Sequence, residues 1–250
     1  MELSNSKKIY FLSDFHLGAP DYESSLVREK KIIRFLEEIR KDALHIFIVG
    51  DMFDFWYEYK TAVPRGFVRL LGKLGELTDS GITISFFVGN HDMWMNGYFE
   101  KELNIKVYYH PEAFEFSGRK FLIGHGDGLG PGDHRYKLLK KVFRNKISQA
   151  LFGALHPSWG IGIANYFSRK SRAATGKTDE HFLGEDKEWL LTYSKERLAK
   201  EHFDYFIFGH RHLPLDLTAG PSSRYINLGD WINYNSYAEF DGKELQLKYY

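Results

Sequence analysis

Carboxylate, amide and imidazole side chains recur at five places in this chain, each just after a short apolar run. They are Asp14-Phe15-His16, Gly50-Asp51-Met52-Phe53-Asp54, Gly89-Asn90-His91-Asp92, Gly124-His125-Gly126-Asp127 and Gly209-His210-Arg211-His212. The chain has no cysteine, so sulfur ligands and disulfides are excluded and a metal site has to use nitrogen and oxygen donors. Seven groups stand out as donors: Asp14, His16, Asp51, Asn90, His125, His210 and His212. Imidazole with oxygen ligands suits Mn²⁺, Fe²⁺ or Zn²⁺. Seven ligands are too many for one catalytic ion that keeps an open position. They suit two divalent ions about 3.5–4 Å apart that share a carboxylate. Asp51 is the expected bridge, because it lies between the Asp14/His16 and Asn90/His125 pairs in chain order.

Such a pair would lower the pKa of a water toward ~7 and neutralise charge during attack on a phosphoryl group. The expected chemistry is hydrolysis of a phosphate ester or phosphoric anhydride. His91 is the expected general acid or transition-state donor, with Asp92 expected to orient its ring. Asp54 and Asp127 read as supporting or structural groups. Any one cluster alone reads as an ordinary strand end; five in order, each after an apolar run, read as a site.

The runs that position these clusters are Ile9–Leu12, His45–Val49, Ile82–Val88, Lys120–Ile123 and Tyr205–Phe208. Helical spacing of apolar residues over Ser24–Lys41 and Gly66–Ser80 makes the first part βαβαβ, hence a parallel sheet. Ligands bind beyond the carboxyl ends of such strands, so all five clusters should meet on one sheet edge. Ala113–Phe116 and Lys120–Ile123 flank a turn and read as a hairpin. Glu185–Glu201 reads as a further helix, and Leu213–Leu217, Arg224–Leu228 and Leu245–Tyr249 as closing strands. The whole reads as an α/β sandwich, one domain over 1–250 with a helical insertion at 133–185.

The insertion is electrostatically separate. Net charge is +1 over 250 residues, yet His134–Thr178 holds ten basic residues and no Asp or Glu. Leu138, Leu139, Val142, Phe143, Ile147, Leu151, Phe152 and Leu155 interleave with these charges as one basic amphipathic helix. Such a helix fits an anionic membrane surface or acyl chains beside a phosphate. A plain lid and a nucleic-acid surface are the other readings; the many large aliphatics favour lipid, and no stable nucleic-acid partner is expected. The polar segment Met1–Lys8 is unlike a signal peptide, and no apolar run approaches the ~20 residues of a spanning helix. The expectation is a protein that is soluble or lies on a membrane without crossing it.

In this order, Asp-x-His, Gly-Asp-x-x-Asp, Gly-Asn-His-Asp, Gly-His-Gly-Asp and Gly-His-x-His resemble the signature of the calcineurin-like metallophosphoesterases. The resemblance implies a four-layer αββα sandwich with a dinuclear site, Mn²⁺ foremost and Fe²⁺ or Zn²⁺ as alternatives. It assigns Asp14, His16, Asp51 and His212 to one ion and Asp51, Asn90, His125 and His210 to the other, with His91 catalytic. Within the family, Gly50-Asp51-Met52-Phe53-Asp54-Phe55-Trp56 and the placing of Asp133 after Gly126-Asp127 are similar to the group that cleaves UDP-2,3-diacylglucosamine in lipid A biosynthesis. That narrower resemblance implies hydrolysis to 2,3-diacylglucosamine 1-phosphate and UMP. The substrate contacts it implies are Asn90, His91, Asp133, Arg169, Ser171, Thr175, Lys177 and His210. It also implies a lipid-linked nucleotide substrate and a peripheral location on the cytoplasmic face of a Gram-negative inner membrane. His91 stands where the best-known members of that group carry Arg. The alternatives are a metallophosphoesterase acting on nucleotides, phosphoproteins or nucleic acid, and a scaffold that keeps the fold without turnover.

Overall fold

Strict alternation along the strands explains the layering in the computed structural model, which describes residues 3, 6–132, 134–164, 166–168 and 181–250. In β1 (Lys8–Leu12), Ile9 and Phe11 pack toward a second sheet while Tyr10 and Leu12 pack toward helices. The same split divides Phe47 and Val49 from Ile46 and Ile48 in β2 (Ala43–Val49). Strands buried on both faces need nearly continuous apolar sequence, and the polar residue inside β2, His45, is met by Ser85 Oγ of the neighbouring strand at 2.9 Å.

The first sheet has strand order β11-β10-β1-β2-β3-β4. It contains β3 (Thr83–Phe87), β4 (Lys106–Tyr108), β10 (Ser236–Phe240) and β11 (Leu245–Tyr249). Strands β1 to β4 are parallel, and β10 and β11 turn back antiparallel. The second sheet runs β5-β6-β7-β9-β8, built from β5 (Glu112–Phe116), β6 (Arg119–Ile123), β7 (Tyr205–Phe208), β8 (Pro214–Gly220) and β9 (Ser223–Leu228). Helices α1 (Tyr22–Ile39) and α2 (Val68–Asp79) cover the outer face of the first sheet, and α7 (Trp189–Leu198) covers the second. This is the αββα sandwich. A short helix, α3 (Tyr98–Leu103), leads into β4.

Two carboxylates tie helices to this frame. Glu29 of α1, itself buried, accepts from the Arg69 and Leu70 amides at the start of α2, satisfying donors a helix leaves open. Asp21 caps α1 through the Ser24 amide at 2.8 Å.

The segment between β6 and β7 contains α4 (His134–Arg144), α5 (Lys146–Gly153) and α6, residues 157–164. The expected single amphipathic helix is broken: Asn145 accepts from the Ile147 amide at 2.8 Å and caps a new helix. The apolar spacing continues across the break, so periodicity alone hides it. Polar contacts fasten α4 and α5 to the sandwich. Trp94 Nε1 donates to the Phe143 carbonyl, Tyr57 Oη to that of Gln149, and Arg144 to that of Tyr109, all at 2.8–2.9 Å. Their outer face is apolar and open, with Ile147, Leu151 and Trp159 each about 70% exposed. Among the described residues, no helix is long and apolar enough to cross a membrane.

Candidate metal centre and active site

The five clusters meet, but across two sheets rather than on the edge of one. Asp14/His16, Asp51/Asp54 and Asn90/His91/Asp92 follow β1, β2 and β3 of the first sheet; His125/Asp127 and His210/His212 follow β6 and β7 of the second. Backbone bonds lace the strand ends together: Asp14 N donates to Gly50 O, His16 N to Asp51 O, and Gly209 N to His125 O. Five of the seven candidate ligands have left-handed backbone: Asp14, His16, Asp51, His210 and His212, with φ from +43° to +69°. This conformation costs a non-glycine residue roughly 1 kcal/mol or more and persists where the surroundings over-determine it.

Three glycines make the room. A Cβ on Gly89 would overlap the Asp51 carboxylate and amide, one on Gly50 the His125 ring, and one on Gly209 the side chains of Ser13 and Asp14. Only glycine lets the strand ends approach this closely.

Three donor groups result: His16, Asp54 and His91 form one, and the other two share Asp51. Asp14, His16, Asp51 and His212 offer ligand atoms within 4.8 Å of one another, and so do Asp51, His125 and His210. Asp51 belongs to both: its Oδ2 lies 3.7 Å from His16 Nε2 and 3.3 Å from His125 Nε2. Asn90 joins the second group through Oδ1, 3.2 Å from His125 Nε2. The ring of His125 is aimed by its other nitrogen, where Nδ1–H donates to the Val49 carbonyl at 2.8 Å. A carbonyl can only accept, so Nδ1 carries a hydrogen and Nε2 faces the site, a lone pair once its own proton is released. Arg28, buried on α1, donates to the His16 carbonyl at 2.8 Å and steadies that loop.

This donor set fits cations. The Nε2 atoms of His16 and His212 face each other at 2.9 Å, and Asp14 Oδ1 is buried without a hydrogen-bond partner. Burial opposes charge on His16, but the neighbouring carboxylates of Asp14, Asp54 and Asp51 push its pKa up to about 10. His125 likewise rises to about 10 against burial, under the pull of Asp51. Despite burial, Asp14 and Asp51 are held well below the ordinary carboxylate range by the surrounding histidines. Buried carboxylates that draw protons onto neighbouring rings call for positive charge, which divalent ions supply while releasing those protons. When bound, such ions provide Lewis acidity toward phosphoryl oxygens and lower the pKa of a water.

His91 sits at the open side of Asp51. Its amide donates to Asp51 Oδ1 at 2.9 Å, and its ring lies edge-on to His16 with centroids 4.9 Å apart. Burial lowers its pKa, against the opposing pull of Asp51 and Asp54. Nδ1 donates to the Asp54 carbonyl at 2.9 Å, so Asp54 and not Asp92 orients the ring. The carboxylate of Asp92 turns inward instead and accepts from the amides of Gly89, Asp51 and Met52. It fixes the turns that carry Asp51 and Asn90, and burial followed by the nearby Asp51 charge raises its pKa to about 7. The adjacency of His91 and Asp92 in sequence misleads: in the bend beyond β3 the His91 ring faces Asp54 while the Asp92 carboxylate faces the amides of Gly89, Asp51 and Met52.

Asp127 receives Tyr136 Oη at 2.7 Å and the Lys140 ammonium, anchoring α4 to the rim. Of the expected substrate contacts, Asn90, His91 and His210 lie at the centre. Asp133, Arg169, Ser171, Thr175 and Lys177 fall outside the described residues. Beside Asp54 opens a cavity of 1110 Å³, walled by Leu17, Phe55 and Phe67 and by Ile161 and Gly162 of α6.

This chain is similar to several known proteins. A protein of Porphyromonas gingivalis (strain ATCC BAA-308 / W83) named UDP-2,3-diacylglucosamine hydrolase is 42% identical over 96% of this chain and 97% of its own length. One of the same name from Proteus mirabilis (strain HI4320) is 26% identical over 95% of this chain and 96% of its own. A solved structure from Thermus thermophilus covers 98% of this chain and 99% of its own at 13% identity, with a TM-score of 0.47. The sequence pattern of the Calcineurin-like phosphoesterase family matches residues 7–214, and the chain belongs to that family.

Proposed function

We propose that this enzyme hydrolyses the pyrophosphate of UDP-2,3-diacylglucosamine, with water attacking the α-phosphorus, to give 2,3-diacylglucosamine 1-phosphate and UMP. Asp51 carries the reading: one buried carboxylate common to two donor groups is the arrangement a two-ion phosphoryl hydrolase requires. The substrate is named on the relative that is 42% identical across nearly the whole chain, helical insertion included. On this reading one ion lies among Asp14, His16, Asp51 and His212, the other among Asp51, Asn90, His125 and His210, and both are Mn²⁺. His91, its Nδ1–H committed to the Asp54 carbonyl, acts as the imidazolium and donates from Nε2 to the departing phosphate oxygen.

The insertion, 133–185, serves as a substrate cap within the single domain 1–250. Asp133, Arg169, Ser171, Thr175 and Lys177 supply its polar contacts to the glucosamine and phosphates, and Asn90 and His210 contact the substrate from the rim. Acyl chains enter under α6, where the cavity beside Asp54 is walled by apolar side chains. The exposed apolar face of the cap rests on the anionic cytoplasmic surface of a Gram-negative inner membrane. Each large side chain buried there returns about 1.5–3 kcal/mol, and each nearby Lys or Arg about 1 kcal/mol.

Incubation of the Mn²⁺-loaded chain with UDP-2,3-diacylglucosamine in H₂¹⁸O tests the proposal. The expected result is one ¹⁸O atom in UMP. Label in the lipid phosphate would refute attack at the α-phosphorus, and no turnover beside brisk cleavage of another phosphodiester would refute the substrate.

A further inference from the structure

A hydroxyl from the cap reaches the catalytic histidine. Ser168, in the helical residues 166–168 beyond α6, places Oγ 3.0 Å from Asp54 Oδ2, 3.1 Å from the Asp54 carbonyl and 3.1 Å from His91 Nδ1. It lies 114 positions from Asp54 and 77 from His91, so the contact exists only when the insertion is folded over the site.

One arrangement satisfies the two shortest of these contacts. A hydroxyl has one hydrogen and two lone pairs. The His91 Nδ1 hydrogen points between the Asp54 carbonyl and Ser168 Oγ, and the serine hydrogen goes to Asp54 Oδ2. Asp54 and His91 are thereby joined through a third group, and Nε2 is left as the ring atom that takes up or releases a proton.

The surroundings of α6 make this contact more than a packing detail. Near Ser168 the side chains of Tyr166 and Phe167 are largely exposed, their rings packed edge to face against each other. On its inner side α6 borders the 1110 Å³ cavity rather than a filled core. The helix does meet the sandwich at Gly160, where a Cβ would crowd the Tyr59 hydroxyl and the Phe152 ring. Among the described residues, the polar contacts of Ser168 join this end of the cap to the rim.

We propose that Ser168 is a positioning residue through which the seated cap fixes the His91 ring by way of Asp54. The proposal rests on the reading of His91 as the catalytic donor but not on the identity of the lipid substrate. A small phosphodiester therefore tests it separately, because bis(p-nitrophenyl) phosphate reports the hydrolytic centre whatever the natural substrate.

The experiment compares the full-length Mn²⁺-loaded chain with Ser168→Ala and Ser168→Thr. For Ser168→Ala, kcat on bis(p-nitrophenyl) phosphate should fall about 5–10-fold, the worth of a hydrogen bond in the transition state. KM and bound Mn²⁺ should stay within twofold. Ser168→Thr, which keeps the hydroxyl, should recover kcat to within twofold. In the metal-free chain, the His91 Nδ1 resonance in ¹⁵N spectra should move in Ser168→Ala and return in Ser168→Thr. An unchanged kcat in Ser168→Ala would overturn the proposal. So would a loss confined to KM, which marks a substrate contact, or a threonine variant as impaired as the alanine one. If UDP-2,3-diacylglucosamine is not cleaved while these kinetics hold, the substrate assignment fails and the Ser168 assignment stands.

Discussion

Asp14, His16 and Asp51 at the rim are sealed from solvent, whereas on the cap Trp159 and Ile147 leave about 70% of their surface open. The rim is determined on all sides: left-handed backbone, glycines that touch ligands, and carboxylates filled by backbone amides. The cap is joined by a few polar contacts and an aromatic seam, and it presents greasy, basic helices outward. A reaction needing charged groups fixed to fractions of an ångström favours the first kind of construction. Capturing a flexible amphiphile favours the second. Substitutions at the rim should therefore damage chemistry on any substrate, and those on the outer cap should damage only capture of lipid.

The severest test is Asp51→Asn. Its loss should lower kcat at least ~10³-fold on both the lipid nucleotide and bis(p-nitrophenyl) phosphate. Metal analysis should show fewer than two ions per chain. Two retained ions with a tenth of normal turnover would remove Asp51 from its central place.

Gly89→Ala comes next, because it leaves every ligand in place and only adds a methyl group against Asp51. An added methyl in a packed site costs about 1–3 kcal/mol of stability, and an ångström of displacement costs on the order of 10²-fold in rate. Melting temperature and kcat should fall together on both substrates. Normal kinetics would mean that the rim is softer than its contacts imply.

The smallest effect should come from Trp159→Ser combined with Ile163→Ser on the open face of α6. Binding to anionic phosphatidylglycerol vesicles should weaken, and kcat/KM on UDP-2,3-diacylglucosamine should drop about 3–10-fold. Turnover of the small diester should stay within twofold. Equal losses on both substrates would erase the distinction between rim and cap.

Much of the rim was legible because chemistry dictates residue types and the sheet dictates their place. Apolar runs closed by Gly-Asp, Gly-Asn or Gly-His mark β2, β3, β6 and β7 together with the polar groups beyond them, and the run closed by Ser-Asp marks β1. Strand β4 has only three residues, and Ser236–Phe240 mixes Ser, Tyr and Glu with its apolar side chains, so neither β4 nor β10 stands out as a run. Both are recruited by a neighbour's open edge rather than by their own pattern. The division of the clusters between two sheets depends on long-range pairing that no local window contains. Asp54 was visible as a motif residue, but its carbonyl as the partner of His91 was not. Arg28 and Ser168 left no sequence signal, because a helix residue and a serine among basic residues look like ordinary surface.

The placing of the three glycines has one more consequence. Gly50 belongs to the first sheet and clears space for His125 of the second, while Gly209 of the second clears space for Asp14 of the first. Neither loop holds its donor in position by itself; each leans on a gap supplied by the opposite half. Cation affinity thus becomes a gauge of how well the two halves have docked. A core substitution far from the rim that tilts one half against the other should first reveal itself as a looser grip on the ions, before the protein melts.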